Sequence, residues 1–110
     1  MPKVIPVLTH AGLQGAITDL CTWLGLWWWH DVDPLRNKAG LPDLLIVGSK
    51  PRADGRPAEL WREVKVPPDV LRPGQRAFGE RMTAAGGDWA VWTPADWQSG
   101  RIRKQLEAIR

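Results

Sequence analysis

Apolar and polar positions along this chain follow two periods. After Thr9, the residues Leu13, Ile17, Leu20, Leu24 and Trp27 recur at helical spacing, with Thr9 placed as an N-cap and Gly25 as a stop. This predicts a helix over about 10–25. The run Leu26-Trp27-Trp28-Trp29-His30 has the aromatic composition of a strand. A polar loop from Asp31 to Gly40, containing Asp33-Pro34, leads to a second strand over Asp43 to Val47. Asp54-Gly55 marks the turn to a third strand, Glu59 to Val66, which Pro67-Pro68 stops. Pro73 suits the first turn of a second helix that runs to about Ala85, where Gly86-Gly87 ends it. Asp88 to Thr93 is a fourth strand, Pro94 opens a short helical turn, and Ile102, Leu106 and Ile109 line one face of a terminal helix over Arg101 to Ile109. The segment from Pro2 to Leu8 reads as an edge strand or an N-terminal arm. The order is α-β-β-β-α-β-α, a mixed central sheet flanked by helices, and the length suits one domain over residues 1–110. No internal repeat interrupts it.

Polar residues break this pattern in one region. Side chains alternate across a strand, so Leu60, Val64 and Val66 share the core face of the third strand together with Arg62, while Trp61, Glu63 and Lys65 share the other. Asp43 sits at the mouth of the second strand, twenty residues before Glu63, a gap that suits two adjacent strands and a hairpin loop. Two carboxylates beside a lysine make a cradle for Mg²⁺, a hard cation that takes one or two carboxylates and fills its shell with water and phosphate. The same residues also fit a strand-start Asp and a solvent-facing charge pair without chemistry.

Pro42-Asp43 followed by Glu63-Val64-Lys65 resembles the PD-(D/E)XK nuclease signature. Leu71-Arg72-Pro73-Gly74-Gln75 resembles the Leu-Ser-Pro-x-Gln element of the VRR-NUC family, and Gly86-Gly87, the strand from Asp88 to Trp92 and Pro94-Ala95-Asp96-Trp97 follow in that family's order. The resemblance extends from about Thr9 to Trp97. It implies a restriction-endonuclease-like fold and metal-dependent hydrolysis of DNA phosphodiester bonds, with structure-selective cutting of the Holliday-junction-resolvase kind. It further implies that Asp43, Glu63 and the backbone carbonyl of Val64 ligate Mg²⁺ or Mn²⁺. Lys65 then holds the attacking water or neutralises charge on the phosphate, and Gln75 orients water or phosphate. There is one departure. Thr9-His10-Ala11-Gly12-Leu13-Gln14 resembles the family's Thr-Glu-x-x-Leu-Gln, but His10 stands in the Glu position. His10 either substitutes as a ligand, shifting preference toward Mn²⁺, or weakens the site. His30, at the end of the first strand, is either a structural histidine or a phosphate contact. The alternatives are a non-catalytic DNA-binding module, which His10 favours, and a nuclease subunit of a larger repair or packaging complex.

Charge sharpens this reading. The net charge is +3 with a pI near 9.5. Twelve of the fifteen basic residues lie from Lys50 onward, where only eight acids oppose them, so the second half is the basic one. That balance suits a nucleic-acid partner, and Arg52, Arg56, Arg72 and Arg76 are the candidate phosphate contacts. Eight Trp and no Tyr exceed what one small core hides. The surplus fits amphipathic core edges, or else a homodimer interface or a stacking surface for bases, with a branched DNA substrate matching the two-fold symmetry of a dimer. Cys21 alone excludes an intrachain disulfide and a four-Cys zinc site. Neither a signal peptide nor an apolar stretch of membrane-spanning length is visible, so the expectation is a cytoplasmic protein of a bacterium or phage-infected cell without membrane contact.

Overall fold

The computed structural model describes residues 9–32 and 40–110. The expected arm over Pro2 to Leu8 and the body of the loop around Asp33-Pro34 lie outside the described residues. Among the described residues, four helices and four strands follow in the order α1 (His10–Trp23), β1 (Trp27–His30), β2 (Leu44–Val47), β3 (Glu59–Val64), α2 (Pro73–Ala84), β4 (Trp89–Trp92), α3 (Pro94–Gln98) and α4 (Arg101–Ala108). The strands form one mixed α/β sheet in the order β1-β2-β3-β4. The first three run antiparallel as a meander, and β4 lies parallel to β3, which requires the α2 crossover.

α1 begins where Thr9 Oγ1 accepts the Gly12 amide at 3.0 Å, satisfying one otherwise unpaired N–H of the first turn. Leu13, Ala16, Ile17, Leu20 and Cys21 then face the core on consecutive turns. The helix ends at Trp23, and Gly25 takes the left-handed conformation (φ 77°) that turns the chain into β1. Trp27 therefore leaves the helical stripe that its spacing suggested. As the first residue of β1 it is 58% exposed. The core lies between α1, α4 and one sheet face, where Leu44, Ile46, Leu60, Val64 and Trp92 meet Leu13, Ile17, Ile102 and Leu106. Burial pushes the Cys21 thiol up to about 12, which makes it an inert core residue. No helix among the described residues is long and apolar enough to cross a membrane.

Arg62 shares that core face, as alternation along β3 requires, and is only 2% exposed. Its guanidinium pairs with Asp88 Oδ1 at 2.9 Å, donates to the Asp88 carbonyl at 2.8 Å and to Gln105 Oε1 at 3.0 Å, and stacks over the Trp92 ring at 5.0 Å. Gln105 Oε1 also accepts the Trp92 indole N–H at 2.9 Å. One buried cation thus ties β3, β4 and α4 together.

The other sheet face carries α2. Gly79 seats this helix on β4, because a Cβ at that position would lie 2.6 Å from three atoms of the Trp89 ring. An Ala in a helix interior ordinarily stabilises relative to Gly by about 1 kcal/mol. Here overpacking wins, and Gly79→Ala should destabilise by about 1–3 kcal/mol, read from the shift of the urea midpoint at unchanged slope.

Candidate metal and phosphodiester site

The register sets the site. β2 and β3 pair Leu44 with Arg62, so continuing the ladder one step places Asp43 opposite Glu63 at the end of the sheet. Amides along β3 alternate sides. Trp61 and Lys65 donate to β4, at Asp88 O (2.8 Å) and Trp92 O (3.0 Å). The Val64 amide turns instead toward β2, where Asp43 Oδ2 accepts it at 2.8 Å. The Val64 carbonyl, on the same edge of the strand, is directed to the same side as Asp43.

Three further elements bring side chains to this point. The first residue of α1, His10, places Nε2 at 3.2 Å from Asp43 Oδ2. At the third position of α2, Gln75 works in two directions. Its Oε1 accepts the Arg72 amide at 2.9 Å and caps its own helix, which fixes Nε2 to donate to Glu63 Oε2 at 3.0 Å. Gly40, in the left-handed region (φ 95°), lies so close to the Gly74 carbonyl that a Cβ would collide with it. This close approach holds the Leu41-Pro42-Asp43 segment against the head of α2. Lys65 Nζ stands 3.8 Å from Glu63 Oε2 and is largely buried.

The electrostatics separate the two acids. Glu63 is pushed up to about 8, chiefly by burial and then by the negative charge of Asp43 and a hydrogen bond with it. Burial also acts against ionised Asp43, but the bonds from His10 and the Val64 amide outweigh it and hold Asp43 below the usual carboxylate range. His10 is raised by the same bond to Asp43. The acids titrate as a pair that retains one proton near neutral pH.

Glu63 Oε1 is buried and has no hydrogen-bond partner. His10 and the Val64 amide both use Asp43 Oδ2. An unpartnered carboxylate oxygen beside a second carboxylate is a donor set that suits a hard cation. No group of three or more His, Cys, Asp or Glu among the described residues is arranged to hold a metal ion. A Mg²⁺ site built on two carboxylates, a backbone carbonyl, water and substrate phosphate needs no third acid. These residues therefore fit a divalent cation, with Asp43, Glu63 and the Val64 carbonyl as its holders. His10 supports Asp43 through a hydrogen bond.

A buried acid without a cation is a liability, and its pH dependence has a definite sign. Between about 4.5 and 8 the folded state keeps a proton that the unfolded chain has lost, so stability is fully present below pH 4.5 and falls as pH rises toward 8. Glu63→Gln should remove that loss. The variant should be more stable than the parent by several kcal/mol at pH 8 and nearly equal to it at pH 4.5, measured by thermal melts across that range without metal. A constant difference at all pH values would remove the buried-charge explanation.

Among the candidate phosphate contacts, Arg52 is committed inward. It donates to Pro57 O, Glu59 O and Asp88 Oδ2 at 2.9–3.0 Å. It braces the far end of β3 against β4, and that role excludes it from a free phosphate-binding surface. Arg56 pairs with Asp54 on the surface. Arg72 and Arg76 are exposed at the head of α2, beside Gln75. His30 takes a hydrogen bond from Gln14 at 3.3 Å and stacks on Trp28 on the α1 side of the sheet, so it lies on the opposite face from Glu63. Sequence reasoning missed the Arg62–Asp88–Arg52 cluster. The signal was an Arg on the core face of β3, which demands a counter-charge, and Asp88 is the acid adjoining β4.

Comparison of the chain with protein-family models, with curated proteins and with solved structures finds no match.

Proposed function

We propose that this chain is a metal-dependent nuclease with a restriction-endonuclease-like fold that hydrolyses phosphodiester bonds in DNA. The observation that carries the reading is the unpartnered, buried Oε1 of Glu63 facing the opposed Asp43, with Lys65 and Gln75 fixed beside it. Two opposed acids at the end of a strand pair, one of them held protonated, have no structural use that would offset the cost of burying them. A divalent cation bound there would supply Lewis-acid stabilisation of the phosphate and a more acidic water. The chain supplies the rest. Gln75 locks the Glu63 rotamer, the Val64 amide and His10 lock Asp43, and the Lys65 ammonium meets the charge that develops on phosphate oxygens in a site largely closed to solvent. Arg72 and Arg76 stand where the backbone of a bound strand would continue past α2.

The deciding experiment is incubation of the protein with labelled duplex, flap, single-stranded and four-way-junction DNA, in Mg²⁺ and in Mn²⁺. Cleavage that requires the cation, and is faster on branched or unpaired DNA than on plain duplex, is the expected result. No cleavage of any substrate in either cation would remove the reading. One observation favours the alternative of a non-catalytic DNA-binding module: His10 already balances the Asp43 charge with a hydrogen bond where the resembled family carries Glu. His10→Glu separates the two, since a binding module would stay inactive with either residue.

A further inference from the structure

Among the described residues, the face that carries Glu63 is only half covered by a helix. The strand registers align Trp29 with Leu45, Leu45 with Trp61, and Trp61 with Trp89 in one row across the sheet. α2 covers the β3–β4 half of that row, where Phe78 meets the Trp61 ring (centroids 6.3 Å apart) and Gly79 meets Trp89. On the β1–β2 half, Trp27 and Trp29 stand beside Val47 and Leu45. Alternation turns all four away from α1, which packs on the opposite face against Trp28, Leu44 and Ile46. Trp27 is 58% exposed, and Trp29, Leu45 and Val47 are partly so.

This open apolar strip is continuous with the carboxylates. Asp43 and Glu63 occupy the next row of the same face, two residues along each strand, or about 7 Å from the Trp29–Leu45 row. A nucleotide next to a phosphate bound at Asp43 and Glu63 would reach Trp29 if the strand runs toward β1. Two properties of the strip fit a base better than a second protein. Its most exposed side chain is a flat indole, which stacks on any base irrespective of sequence. Its four side chains are far fewer than the 20–30 residues per side that a stable protein interface uses.

We propose that Trp29, with Trp27 beside it, stacks on an unpaired base next to the phosphate that a cation at Asp43 and Glu63 would hold, so that the protein prefers DNA whose bases are free to leave the helix. The proposal rests on the nucleolytic reading for the direction of the strand, but its test does not depend on cleavage. Labelled single-stranded oligothymidine is titrated in Ca²⁺, a hard cation that takes carboxylate and phosphate oxygens, and followed by anisotropy, with the parent, Trp29→Ala, Trp29→Phe and Trp27→Ala proteins. A matched oligomer of abasic residues and a blunt duplex serve as the other two probes.

Trp29→Ala should weaken oligothymidine binding about five- to a hundredfold. Trp29→Phe should recover most of that loss, and Trp27→Ala should show a smaller one. The abasic oligomer should bind the parent as weakly as oligothymidine binds Trp29→Ala, with no further loss when both changes are combined. Duplex affinity should not move. Equal affinity of the parent for the base-bearing and abasic oligomers would overturn the proposal. So would a Trp29→Ala variant that melts at lower temperature yet binds oligothymidine normally, because the strip would then serve stability. Sedimentation addresses the remaining occupant: a dimer of the parent that Trp27→Ala or Trp29→Ala dissociates, with oligothymidine affinity unchanged, would assign the strip to a second copy of this chain. Base-dependent binding without cleavage of any substrate would remove the nuclease and leave the stacking site. Cleavage with Trp29-independent binding would do the reverse.

Discussion

Asp43→Asn should bring cation-dependent DNA cleavage down by at least about a thousandfold, the several kcal/mol that a correctly held metal contributes. The chain should stay folded. Asn keeps an oxygen to accept the Val64 amide, which Asp43 Oδ2 now takes at 2.8 Å. Ala at the same position would leave that N–H unpaired at a cost of about 1–3 kcal/mol and would confuse a folding defect with a chemical one. The substitution deletes the charge and leaves the packing, so calorimetric titration with Mn²⁺ should lose its binding heat while the melt without metal persists. Lys65→Ala is the companion. It should still bind Mn²⁺ and DNA but turn over at least about a hundredfold more slowly, the usual scale for losing one charge-stabilising group. Mn²⁺ binding by Asp43→Asn as tight as the parent's would move the metal elsewhere, and rapid cleavage by Lys65→Ala would do the same for the chemistry.

Arg62→Ala should cost about 3–5 kcal/mol of folding stability, which for a domain of this size corresponds to a fall of more than about 10 °C in melting temperature. The guanidinium is 2% exposed and holds Asp88, Gln105 and the Trp92 ring at once. Removing it empties a large volume and takes away one of the two donors that Gln105 Oε1 and the Asp88 carboxylate each have. Arg52 keeps its own bond to Asp88 at 2.9 Å, so the acid is not left alone. For that reason Arg62→Met, which refills the volume without the charge, should recover part of the loss. Activity per folded molecule should be nearly unchanged in both variants, since Arg62 points away from Glu63 on the opposite face of β3. An Arg62→Ala protein within about 1 kcal/mol of the parent in urea unfolding would show that the cluster contributes little beyond what its desolvation costs.

These expectations separate two kinds of information. Apolar period and turn residues located every element within a residue or two, because those signals are local: the Thr9 cap, the Gly25 stop, the Pro73 start and the Gly86-Gly87 end each act within one helical turn. Alternation along β3 likewise determined, before any coordinates, that Glu63 and Lys65 share one face and Arg62 the other. Partnership across the fold was not legible. Nothing local says that Asp88 rather than Asp54 or Asp96 answers Arg62, that Arg52 is spent on the same acid, or that His10 bonds Asp43 across 33 residues. Those pairs exist because the α2 crossover sets β4 parallel to β3 and because α1 ends its approach at the mouth of β2. The fate of the tryptophans was decided in the same way. Composition said that eight could not all be buried, but only packing chose which: Trp92 sits at the centre of the core, Trp61 and Trp89 lie under α2, and Trp27 is left in water beside Trp29 because α2, as the β3–β4 crossover, packs over those two strands.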